Sequence, residues 1–261
     1  STVIVIVILL SSIGCEDAKL NIVDYSYDRK SMLIRYADSL IIPHFRELAD
    51  QTRLLKESVD VFSTSPSASS LLDLQTKWKS AFIQWQKCTV YNFGPAELQF
   101  ATITEELGTY PVRINGSYDV NNVYRNGIED FIKNGDFSLQ NFNRDARGFL
   151  TLDYLLFSKD IDGTIDWFVN DESSTNRRRY AIAVVENIYN ISNAVFQQWM
   201  HVYRNEFISN DGVSAGSSSS ILFNSFVKSF EDLKNYKIMT PLGKRAGQII
   251  SAPELCEAYY S

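Results

Sequence analysis

Between Ser67 and Gly94 the apolar residues Leu71, Leu74, Trp78, Ala81, Trp85 and Cys88 step three, four, three, four, three along the chain. That spacing puts all six on one stripe of an α-helix and is the pattern of a seam between packed helices. A strand would need apolar and polar residues to alternate, and no segment sustains that for more than a few residues. The same helical steps recur at Tyr36, Leu40, Phe45, Leu48, Thr52, Leu55, Val59 and Phe62, in a helix from Asp28 that Pro43 should kink or split. They return at Tyr180, Val184, Ile188, Ile191, Val195 and Trp199, and again at Leu222, Phe226, Phe230 and Leu233. The expectation is an all-α protein of bundled helices, with Trp78, Trp85 and Trp199 in the core.

Breakers divide these helices. Ser63-Thr64-Ser65-Pro66-Ser67 reads as a loop rich in N-cap residues, and Gly94-Pro95 ends the second helix. Pro and Gly make the stretch around 94–120 an irregular connection. Helical pattern resumes over Asn121–Lys133, breaks at Asn134-Gly135, restarts through Ala146, Phe149, Leu152, Leu156 and Phe157, and stops at Asp162-Gly163. A boundary is placed near Asp171–Thr175, and Asp211–Ser220, with two glycines and four consecutive serines, reads as a loop.

With 261 residues and 45% apolar content the chain can bury a substantial core. Its net charge is −6, and its basic residues are scattered except for Arg177-Arg178-Arg179, so it lacks the basic stripe a phosphate backbone needs. Nucleic acid is not an expected partner. At the N-terminus an unbroken apolar run, Val3–Leu10, leads through Ser11-Ser12-Ile13-Gly14 to Cys15 and then to charged Glu16-Asp17. The run is shorter than the ~20 residues that cross a bilayer, and it reads as the end of an export signal, residues 1–14, cleaved before a lipidated Cys15. A plain secretory signal, or a tail of chance hydrophobicity, is the alternative. No initiator Met or basic segment precedes it, and the C-terminal Pro253–Tyr260 reads as a helix begun but not ended, so both ends look truncated. Cys88 and Cys256 are expected to be unpaired.

Chemistry concentrates at Ala146-Arg147-Gly148-Phe149-Leu150-Thr151-Leu152-Asp153-Tyr154-Leu155-Leu156-Phe157. On a helix the neighbours of Asp153 at three and four residues are Phe149, Leu150, Leu156 and Phe157, all apolar. A carboxylate on such a face needs a cation, several donors or a proton. It either ties two helices together or binds a ligand or metal. The two histidines, His44 and His201, have no ligand-spaced partner and read as surface or packing residues. Glu105-Glu106 and Glu129-Asp130 read as solvated pairs. No phosphate loop, nucleophile elbow or Cys–His pair is present.

The stretch from Arg147-Gly148 to Leu155-Leu156-Phe157 resembles the signature of the imelysin family: Gly, any residue, His, two residues, Glu, then an aromatic and two leucines. Ile42-Pro43, the Trp78, Ala81, Trp85 spacing, Phe93-Gly94-Pro95, Tyr110-Pro111, Pro241-Leu242-Gly243-Lys244, Pro253-Glu254-Leu255 and Glu257-Ala258-Tyr259-Tyr260 follow in the family's order. The resemblance implies two related helical bundles, here residues 15–170 and 171–261, the second incomplete. It also implies residence in the bacterial cell envelope, links to iron uptake, and a metallopeptidase activity associated with the motif's His and Glu. His and Glu three apart share a helix face and can hold a metal in a bundle. In this chain the His position is Leu150, the Glu position is the shorter Asp153, and an acid frequent before Phe-Gly-Pro falls at Thr89.

The expected function is therefore a non-catalytic lipoprotein anchored to the bilayer through Cys15, periplasmic or surface-facing, that serves iron or haem acquisition and meets proteins of that process. Its cleft is placed at Gly148, Thr151 and Asp153. No cofactor is assigned; iron or zinc at Asp153 is the metal alternative, which would go with a peptidase using other ligands. A structural or adhesion lipoprotein is the third reading.

Overall fold

The structure, a computed structural model, describes residues 27–98, 102–108, 123–135, 137, 147–239 and 242–244. The export signal, Cys15, Tyr110-Pro111 and Cys256 lie outside them. Among the described residues there is no strand, only an isolated bridge between Glu97 and Thr102.

Helix α1 (Arg29–Tyr36) opens on Asp28, whose carboxylate accepts the Ser31 amide at 2.9 Å. Ala37–Ile41 then form a π-turn, and the same helical rod continues as α2 (Ile42–Thr64). Pro43 explains the interruption: it has no N–H to give, and its ring would strike the carbonyl four residues back in a regular α-turn, which a wider turn relieves. The expected break takes this form. Ser65 and Pro66 end α2, and α3 (Ala68–Cys88) starts with Ser67 and Ser70 capping each other's backbone.

The α3 seam is buried as the spacing requires, with Leu71, Leu74, Trp78, Ala81, Trp85 and Cys88 each at most 2% exposed. It faces α2 and the short α6 (Phe149–Phe157) and α7 (Ile161–Val169). The other face of the core is α8 (Ser174–Gln198), which packs along α2 and contributes Tyr180, Val184, Ile188 and Val195 to the same buried cluster. That cluster is continuous from residues before Asp171 to residues after it. A second π-turn, Trp199–Tyr203, carries α8 into α9 (Arg204–Ser209). The short α4 (Ile103–Leu107) and α5 (Val123–Asn134) complete the elements around α6.

Two expectations change at the C-terminal side. The loop after α9 ends at Ser217, whose hydroxyl caps the Ser220 amide, so Ser218–Ser220 are the first turn of α10 (Ser218–Asp232) rather than loop. The inward face of α10 is Ile221, Leu222 and Ser225, the last donating to the Val90 carbonyl at 2.8 Å. Phe226, Phe230 and Leu233, read from spacing as a buried stripe, are instead exposed. No described helix is long and apolar enough to cross a membrane.

Candidate functional site

Helix α6 carries the unusual residues, and its sequence buries it on nearly every side. Phe149, Thr151, Leu152, Asp153, Tyr154, Leu155 and Leu156 are all buried, because α3 covers one flank and α7 and α8 others. Two side chains of α3 fasten its ends: Trp78 donates its indole N–H to the Phe149 carbonyl at 3.0 Å, and Gln75 donates to the Leu156 carbonyl at 2.7 Å. Since Gln75 precedes Trp78 while Leu156 follows Phe149, α6 runs against the direction of α3.

Gly148 starts α6 at φ +101°, a backbone region that disfavours side chains. A Cβ there would lie 2.6 Å from the Leu107 carbonyl oxygen. The glycine therefore lets the end of α4 press directly onto the start of α6. Asp153 is 3% exposed and Thr151 fully buried, and both have partners. The apolar neighbours of Asp153 thus go with its burial. Leu150, at the motif's His position, is the partly exposed member of the set.

Around α6 lie two ion pairs that sequence reading missed. Glu106 and Glu129 were each assigned to a solvated pair, and the structure corrects both. Glu105 is exposed and closes a capping box with Thr102, but Glu106, one residue on, is 9% exposed and accepts from Arg147 at 2.6 Å. Asp130 is exposed while Glu129 meets Arg177. Adjacent helical residues point about 100° apart, so one acid of each pair turns inward.

Arg177 is 1% exposed. It holds Glu129 bidentately (Nη1–Oε1 2.7 Å, Nη2–Oε2 3.0 Å), reaches Asp171 at 3.4 Å, and lies 3.8 Å from the Trp167 ring centroid. Tyr154, the residue after Asp153, donates its hydroxyl to Glu129 at 3.1 Å and meets Trp167 edge-on. This group braces α5, α7 and α8 against α6. The signal available in sequence was the Arg177-Arg178-Arg179 run, from which a helix must send one member inward.

The remaining candidates lie elsewhere. Thr89 is partly buried and donates to the Gln86 carbonyl. His201 is exposed on the second π-turn. His44 stacks on Tyr91 with centroids 5.9 Å apart, and burial, aided by the Lys87 cation, holds its pKa below the ordinary histidine value. Both histidines thus occupy the surface and packing roles expected of them. Cys88 is a free, buried thiol that donates to the His44 carbonyl, and burial pushes its pKa up to about 12.

Among the described residues no three or more His, Cys, Asp or Glu side chains come together as a metal-binding group. A structural or catalytic zinc site ordinarily takes at least three protein ligands. At the signature, Leu150 has no lone pair and Asp153 is enclosed, so the donor set there does not fit the metal implied by the motif.

The imelysin model of peptidase family M75 matches residues 41–261. The chain belongs to the imelysin family. Its fold is shared with two solved structures. An imelysin-like protein from Psychrobacter arcticum 273-4 superposes with a TM-score of 0.65 at 20% identity, covering 82% of this chain. A protein assigned as an iron-regulated protein A precursor, from Parabacteroides distasonis ATCC 8503, gives 0.68 at 19% identity over 89% of this chain. The chain spans 63% of the first and 67% of the second. No curated protein matches it. Leu150, which the resemblance puts at the motif's His position, is partly exposed on α6, as is Phe157.

Proposed function

We propose that this imelysin-family chain is a non-catalytic cell-envelope lipoprotein, anchored through Cys15, that binds a ligand or partner in iron or haem acquisition. The observation that carries the reading is the state of the signature: Leu150 replaces the one motif nitrogen, while the acid position, Asp153, is buried at 3% exposure. A His–Glu pair three apart could hold a metal and polarise a peptide carbonyl; a leucine and an enclosed aspartate cannot share that task. The rest of the frame is kept. Gly148 still permits the close approach of α4, and Thr151 and Asp153 are buried and partnered on α6. The iron association rests on the family resemblance and on the regulated neighbour from Parabacteroides.

The test is elemental analysis of the chain purified without a metal-affinity column, run beside Asp153→Ala, together with thermal shifts in the presence of haemin and of ferric citrate. The reading expects no stoichiometric zinc and a haemin or ferric shift that Asp153→Ala diminishes. Stoichiometric zinc lost in Asp153→Ala, with chelator-sensitive proteolysis, would overturn it in favour of a peptidase. If neither probe shifts the transition, the iron role fails.

A further inference from the structure

A glycine that follows aspartate or asparagine opens the chain to its own chemistry. With no Cβ in the way, the glycine's amide nitrogen can reach the side-chain carbonyl carbon of the residue before it and close a five-membered ring. Folding controls that attack through two conditions: the glycine N–H must be free of a hydrogen bond, and the backbone must be able to leave the helical geometry that holds the two atoms apart. The pairs of this kind among the described residues are Asn126-Gly127, Asn134-Gly135, Asp162-Gly163 and Asp211-Gly212. Asn115-Gly116 lies outside them.

The first three pairs are held shut. Asn126-Gly127 lies within α5, in helical backbone. The Gly135 amide closes that helix by donating to the Phe131 carbonyl at 3.1 Å. Gly163, in the first turn of α7, donates to the Asp160 carboxylate at 2.8 Å. Asp211-Gly212 meets both conditions. The two residues are exposed between α9 and α10, and neither the Asp211 carboxylate nor the Gly212 amide has a hydrogen-bond partner among the described residues. Nothing lies within 4 Å of the Cβ position of Gly212.

The loop's own hydrogen bonds close behind this tip and leave it out. Asn210 donates through Nδ2 to the Gly216 carbonyl at 2.8 Å, the Ser218 amide donates to the Asn210 carbonyl at 3.0 Å, and the Ser217 amide to the Ser214 carbonyl at 2.9 Å. A change of backbone at 211 therefore leaves the Ser217 cap of α10 in place. We propose that the fold selects Asp211 as a site of spontaneous isoaspartate formation in the native protein. The Gly212 amide nitrogen bonds to Asp211 Cγ, and the amide proton leaves with the carboxyl hydroxyl as one water, giving a succinimide. Water then adds back at either ring carbonyl. Opening at Cγ restores aspartate, and opening at the backbone carbonyl carbon leaves the chain running through the side chain as isoaspartate. The two steps consume no oxidant or co-reactant beyond the water released and regained.

Asp162-Gly163 is the internal reference, because it is the same dipeptide with its amide bonded. The full chain is aged for weeks in mildly acidic buffer at physiological temperature and digested, and isoaspartate is located residue by residue by electron-transfer fragmentation. The expected result is accumulation at position 211 about tenfold or more faster than at 162, since the bonded pair must first open locally. In strongly denaturing urea the two rates should converge. Gly212→Ala, whose Cβ has open space, should keep the fold by circular dichroism and slow the reaction at 211. Equal rates at 211 and 162 in the folded chain would overturn the proposal, as would the absence of isoaspartate at 211. So would a gap that persists in urea, which would assign the difference to flanking residues rather than to the fold.

Discussion

Arg177 grips Glu129 with two parallel hydrogen bonds of 2.7 and 3.0 Å while its guanidinium lies on the face of Trp167. The planar fork of an arginine suits both contacts at once, which a lysine could not reproduce. Through Tyr154, which donates to the same carboxylate, this pair fixes the residue next to Asp153.

Removing the arginine should therefore be costly. Arg177→Met strands the Glu129 carboxylate, whose side chain is only 24% exposed, and we expect a loss of about 3 kcal/mol, at the low end for a broken buried pair. Arg177→Lys should recover less than half of that. Urea unfolding midpoints measure both, and a Met variant within about 0.5 kcal/mol of the parent would contradict the brace.

Gly148 is fixed by conformation and space together. Gly148→Ala adds a Cβ 2.6 Å from the Leu107 oxygen at φ +101°, and should destabilise by about 2 to 3 kcal/mol. Gly212→Ala is the matched control, because nothing lies within 4 Å of its Cβ position. Equal thermal midpoints for the two variants would remove Gly148 from the account.

Asp38, in the first π-turn, is tied to the first residue of α9, accepting from Arg204 Nε and Nη2, each at 2.6 Å. Those hydrogen bonds hold its carboxyl below the usual range. A carboxylate with a depressed folded pKa stabilises above its unfolded pKa, about 3.9, and that contribution disappears as pH falls through the folded value. The advantage of the parent over Asp38→Asn should thus be present at neutral pH and vanish in strong acid. The pair is partly exposed, so its size is at most about 1 kcal/mol. Paired denaturation curves in buffers from neutral to strongly acidic would show it; a gap that does not shrink on acidification would refute it.

Cys88 combines full burial with a pKa pushed up to about 12. Its thiolate is therefore scarce at pH 8 and sealed from reagent. Iodoacetamide should label it only as fast as the protein unfolds, so labelling measured by mass spectrometry should accelerate steeply with urea. Rapid labelling of the native protein would contradict the burial.

Much of this fold was legible in the chain. The α3 spacing identified its buried residues one by one, Asp28 and Ser67 stood where caps were needed, and the apolar neighbours of Asp153 announced its burial. The capping box of Thr102 and Glu105 at the start of α4, within the stretch read as an irregular connection, went unread. The ion pairs were not legible: Glu106 and Arg147 are 41 residues apart and Glu129 and Arg177 are 48 apart. Nothing local pairs Glu106 with Arg147 until α4 is laid against Gly148.

By itself, then, the sequence determined what is encoded over a few turns of helix: where most helices form, which stripe of each is apolar, and the family. Tertiary structure alone decided which charged residues turn inward, how Pro43 is absorbed as a π-turn, and that the phenylalanines of α10 face away from the described core. Periodicity fixes that a face is apolar, but what covers that face depends on elements distant in the chain, whose positions follow from packing rather than from local spacing.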